Sequence, residues 1–168
     1  MSEDPAPYPA RDSVLARLRF SPVLRELLAN IVHRVHAAPF TFPNAPVVDS
    51  TADHDHDWHA AWRDSLRERS DLDTTALDAL VGDARFGVSN LPLTPAAAES
   101  IMRACVRVRL HLRDTILRDL KSEEVDGTLD IFRRTATEQQ GYACYRLLAM
   151  LEEDLVYQLD PESSGVSH

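Results

Sequence analysis

"LTPAAAESIMRACVRVRLHLRDTILRDLKSEE", residues 93–124, is the longest stretch of the chain that reads as one regular element. Thr94 stands where an N-cap is wanted, and Pro95 takes the first helical position, where its missing N–H is not needed. Good helix formers then run for many turns. The pattern predicts a central helix over 94–124. At 3.6 residues per turn, Met102, Cys105, Leu112 and Ile116 share one broad apolar arc, and Arg109 projects between them with Arg113 close behind. An arginine there needs an acid, because burying its charge unpaired is costly. Glu152 or Asp154 is the expected acceptor, each lying at the edge of the last helix's apolar stripe. Such a pair would fix the register of two helices. The other reading is that Arg109 grips an acidic group of a ligand or partner. On the opposite side of the helix Arg103, Arg107, Arg118 and Lys121 line one face with Asp114, a pattern that usually means a solvated surface.

The neighbouring segments predict further helices. "SPVLRELLANIVHRVHAA" carries Ser21 as N-cap, Pro22 at the first position, and Leu24, Leu28, Ile31 and Val35 at helical spacing. Pro39, Pro43 and Pro46 then impose an extended linker over 39–50, with Phe40 and Phe42 available to pin it. Ser50 opens a second helix with Trp58, Trp62 and Leu66 on its expected inward face. "SDLD" offers several caps for a separate third helix, "TTALDALVGDA", packing through Leu77, Leu80 and Val81. In the last helix, "GYACYRLLAMLEEDLVYQL", Cys144, Leu147, Leu151 and Leu155 form the buried stripe, and Thr137 with Gln140 supplies its capping box. Near the start, "VLARLRF" alternates so that Val14, Ala16, Leu18 and Phe20 share a face, as a short strand or an arm would. Residues 1–12 and 161–168 are poor in apolar side chains and are expected to be disordered. The fold class that follows is all-α: one domain over 13–160, a bundle of about five helices with a short N-terminal strand.

Composition bounds the function. With 168 residues the chain can bury roughly 70% of its unfolded surface, enough for one core. A net charge of -9 argues against nucleic acid as the main partner, since phosphate affinity rests on Lys and Arg. Cys105 and Cys144 both fall inside apolar helical patterns, where a thiol behaves as a small hydrophobe. That points to a reducing compartment. No stretch approaches the roughly 20 apolar residues of a membrane span, and "MSEDPAPYPARD" has no apolar leader segment. The expected location is cytoplasmic, with no membrane partner.

One run invites chemistry. "DHDHDWH", residues 53–59, places His56 and His59 one turn apart, as His33 and His36 are on the first helix; neutral imidazoles so spaced can share a divalent ion. Asp53, Asp55 and Asp57 have a plainer use, because acids near a helix N-terminus are favoured by about 0.3–1 kcal/mol each. An enzymatic reading takes His54 and Asp55 as the His-Asp pair of an HD-type phosphohydrolase, with His36 or His33 and Asp114 as further ligands. No glycine-rich phosphate loop or nucleophile elbow accompanies it, so no catalytic residue is assigned and no cofactor is expected beyond such a metal.

"LPLTPAAAES" followed by "VRLHL", then "YRLLAMLEEDLVYQL", with "RFSPVLRELLANI" near the start, resembles an uncharacterised helical family. It is a domain of unknown function known chiefly from actinobacteria, whose members are often encoded beside the adaptor of the Clp protease. The similar segments span about half the chain and exclude the proline-rich linker and the DHDHDWH run. The resemblance implies a small bacterial helical protein, regulatory or linked to protein turnover, with no catalytic residue. Three functions are therefore expected in order: a non-enzymatic regulatory or adaptor-like protein that binds another protein, a metal-dependent hydrolase at His54-Asp55, and a structural homo-oligomer. The first predicts exposed apolar residues near Phe40 and Phe42 or on the Trp58 helix; the third predicts a symmetric apolar patch.

Overall fold

The computed structural model describes residues 14–37, 53–120 and 133–160, and over 53–57 and 59 the helical backbone alone. The proline-rich linker with Phe40 and Phe42, and the two terminal segments, lie outside the described residues. In chain order the elements are β1 (Val14–Ala16), α1 (Pro22–Ala37), α2 (Asp53–Gly82), β2 (Leu91–Leu93), α3 (Pro95–Asp114) and α4 (Ala136–Leu159).

Side-chain ties give the direction of each helix. Arg25 in the first turn of α1 donates to Ala84 O just past α2, while Arg107 touches both Val35 O late in α1 and Ser70 within α2. Those two helices run antiparallel. Asp73 opposite Arg103 and Ser70 opposite Arg107 set α2 against α3 in the same sense. Arg109 opposite Glu152, with Gly141 against Ile116, does so for α3 and α4. The result is an up-down-up-down arrangement whose core joins Leu28, Val32, Leu77, Val81, Val108, Leu112, Leu148 and Leu151.

Four helices, rather than about five, are present among the described residues. The difference lies at "SDLD", where the side chains that could cap a new helix are otherwise engaged. Thr74 Oγ1 donates back to Ser70 O and Thr75 Oγ1 to Asp71 O, both across one turn, and Asp73 faces Arg103. The helix therefore runs on from Asp53 to Gly82. Conversely, α3 is shorter than the residue pattern suggests. Thr115 donates its N–H and its hydroxyl to His111 O, Leu117 N reaches Leu112 O, and the chain turns so that Leu117 and Leu120 enter the core. Thr94 does cap α3, accepting from Ala97 N, with Pro95 behind it. The capping box of α4 sits two residues earlier than expected: Thr135 accepts from Glu138 N, and Glu138 accepts from Thr135 N.

The N-terminal strand has a partner that alternation did not reveal. β1 pairs antiparallel with β2, Val14 opposite Leu93 and Ala16 opposite Leu91. Leu15 turns its N–H and C=O to the outer edge, where the Gln158 carboxamide accepts from the one and donates to the other, both at 2.8 Å. Opposite Leu15 stands Pro92, whose missing N–H costs nothing at an outward position. A side-chain amide thus closes one edge of the ribbon and a proline blunts the other. Beyond β1, Phe20 meets Phe86 edge-on and covers Gly87, which holds φ +85 and leaves no room for a Cβ against the Phe20 ring.

Candidate functional site

The charged side chains of α3 do not form one solvated stripe. Arg103 makes two 2.8 Å bonds with the carboxylate of Asp73, which is buried on α2. Arg107 is largely buried between α1 and α2, donating to Ser70 Oγ at 2.8 Å, Thr74 Oγ1 at 2.9 Å and Val35 O. Burial lowers its pKa, with Asp71 at 3.9 Å acting the other way. Of the expected solvated face, Arg103, Asp114 and Arg118 are exposed, and Lys121 lies outside the described residues. The correction concerns Arg107, which is largely buried and with Arg103 ties α3 to α2. A helix of a bundle has neighbours on two sides, and the residue pattern of one helix cannot say how close the second comes.

On the α4 side, Arg109 Nη1 donates to Glu152 Oε2 at 2.8 Å and Nη2 to the Tyr145 hydroxyl at 3.1 Å. The guanidinium carbon also lies 4.6 Å from the Tyr145 ring centroid. Asp154, the other acid considered, accepts instead from Gln158. Burial is the largest single influence on Arg109 and pulls its pKa down, but the bonds to Tyr145 and Glu152 outweigh it and the net direction is up. Both partners remain about a quarter exposed. Arg109 Nε is buried with no acceptor among the described residues. Outside this cluster a shallow cleft is lined by Val106, Arg109, Leu110, Arg113 and Tyr145. Among the described residues its lining offers cations and apolar surface but no nucleophile or acid-base pair. Cys105 is buried beside it with its thiol pKa pushed up by desolvation, and Cys144 is pushed up to about 12 by the same cause. Thiols so held are packing groups rather than nucleophiles.

Trp58 and Trp62 do not face inward. They are 62% and 49% exposed, with ring centroids 6.4 Å apart and planes at 6°, a stacked pair in the N-terminal half of α2. Leu66, one turn further, is half-buried. The pairing of Ser70 with Arg107 leaves this end of α2 to run alongside and past the C-terminal end of α3. Among the described residues, the side chains that α2 gives to the core are Leu77, Leu80 and Val81 with Ala76 against them, all in its C-terminal half. Of the metal ligands considered, the side chains of His54, Asp55, His56 and His59 lie outside the described residues. His36 is half-buried near the end of α1 and Asp114 is exposed at the end of α3. Among the described residues no three His, Cys, Asp or Glu side chains gather in a way that could hold an ion.

The feature most removed from the residue pattern is Gln158 bridging to β1, whose only signal is a polar residue one turn beyond Leu155. No helix among the described residues is long and apolar enough to cross a membrane. Compared with family models, curated proteins and solved structures, the chain matches none.

Proposed function

We propose that the chain is a non-enzymatic regulatory or adaptor-like protein that acts in the bacterial cytoplasm by binding another protein. The observation that carries this reading is the stacked, exposed Trp58–Trp62 pair. Two indoles on a rigid helix present large contact area at small entropic cost, and tryptophan is over-represented among residues that dominate binding energy. The two stacked rings form a contiguous exposed apolar surface, the kind that marks an interaction site more often than singly scattered side chains do. The ionic groups of the bundle point the same way: Arg103, Arg107 and Arg109 are each engaged within the fold, which leaves them as fasteners rather than as ligand-gripping groups. The resemblance to a family implied to be regulatory adds to this reading.

The test is affinity capture from the native cell with the intact chain, beside a Trp58→Ala, Trp62→Ala variant and a Val23→Ala control that removes an exposed side chain elsewhere. A protein retained by the wild type and the control, and lost with the double variant, is expected. Identical retention by all three would remove the indole pair from the function.

A further inference from the structure

The outer face of α3 reads the same in both directions except for charge. Taking Val106 as centre, Met102 and Leu110 stand four residues before and after it, and Glu99 and Arg113 seven residues before and after. At 100° per residue all of these project within about 40° of Val106. Val106 is 42% and Leu110 57% exposed, and Met102 and Arg113 are half-buried, with Arg113 Nη1 also donating to the neutral carbonyl of Leu120 at 3.4 Å. Glu99 reaches Arg103 only at 3.9 Å, since the two short bonds of Arg103 go to Asp73. An apolar strip with an acid at one end and a base at the other, equally spaced from its centre, is complementary to its own antiparallel copy.

We infer that this face docks a second copy of the chain, α3 against α3 about a two-fold axis through Val106. Val106 then meets its own equivalent, Met102 meets Leu110 of the second copy, and Glu99 meets Arg113 of the second copy at both ends. Arg103 and Arg109 come opposite one another, but each arrives already neutralised, by Asp73 and Glu152. A heterologous partner has no reason to require this symmetry, whereas an isologous one imposes it. The inference stands apart from the Trp58–Trp62 proposal, which concerns the far half of α2.

The experiment is sedimentation velocity on the full chain from about 1 µM to about 500 µM, the range in which a contact of one or two helices is measurable. Concentration-dependent dimer is expected for the wild type and monomer for Val106→Arg. Glu99→Arg alone, or Arg113→Glu alone, sets like charges together at both ends and weakens self-association about tenfold. The double variant Glu99→Arg, Arg113→Glu regains it, and a mixture of the two single variants prefers the mixed dimer. Circular dichroism on each variant shows that the helices persist; should Val106→Arg unfold, the charge series alone decides. Wild type that stays monomeric throughout, a dimer that Val106→Arg leaves intact, or a double swap no tighter than the singles would overturn the inference.

Discussion

At the scale of single residues, Arg109 and Glu152 join α3 to α4 across 2.8 Å, with about a quarter of each side chain exposed to water. Arg109 is legible because Met102, Cys105 and Leu112 surround it on its own helix, so an acid had to be sought, and Glu152 stands 2.8 Å away. Arg107 is not legible, because what buries it comes from α1 and α2. Glu152→Gln removes the anionic partner and leaves the Arg109 charge with neutral partners only among the bonds that hold it to α4. It should lower unfolding free energy by about 1–3 kcal/mol, less than for a fully buried pair because water still reaches both groups. Arg109→Met with Glu152→Met should lie within about 1 kcal/mol of wild type, and a urea-denaturation cycle measures the difference. Acid provides a second check at Asp83. The hydrogen bonds from Arg85 hold its carboxyl at about 2, below the ordinary value of 3.8. The folded state thus takes up this proton less readily than the unfolded chain. The stabilising contribution is full above about pH 4 and is lost as pH falls through about 2. Carboxyl-carbon NMR should place the Asp83 midpoint there, and Arg85→Ala should return it towards the ordinary value.

At the scale of elements, caps and apolar spacing located most helices, and the merger of two expected helices into α2 has one cause: polar residues that could end a helix were serving another neighbour. Ser70, Asp73 and Thr74 resemble caps in isolation, yet all three hold Arg103 or Arg107, and α2 runs through them. In α4 the choice lay between two threonines two residues apart, and only Thr135 has a glutamate three residues on. Thr135→Ala should therefore cost about 1 kcal/mol, whereas Thr137→Ala should cost little, in thermal unfolding of each. Gly141 gives a sharper contrast. Alanine there gains about 1 kcal/mol of helix propensity, but its Cβ would come 2.5 Å from Ile116 Cγ2 on the segment after α3. The substitution should destabilise by about 1–3 kcal/mol, and Ile116→Ala in the same chain should recover part of that loss. A stability gain from Gly141→Ala alone would mean that α4 and Ile116 do not approach this closely.

At the scale of the whole molecule, the four antiparallel helices and their shared core follow from stripes that the sequence displays openly, at Leu28, Leu77, Leu112 and Leu151 among others. The β1–β2 ribbon and its closure by Gln158 do not, because three-residue strands such as "LPL" carry too little alternation to be told from a loop. The candidate binding surface was half visible: Trp58 and Trp62 stand out as residues, but helical spacing with Leu66 assigns them to the interior. Which of the two they serve is a matter of energy. Trp58→Ala with Trp62→Ala, unfolded in urea beside the wild type, separates a docking surface from a core. A loss of no more than about 1.5 kcal/mol, the worth of one aromatic stack, is expected if the indoles await another protein. A loss of about 3–5 kcal/mol for each indole would make them part of the fold's own interior and contradict the proposed role.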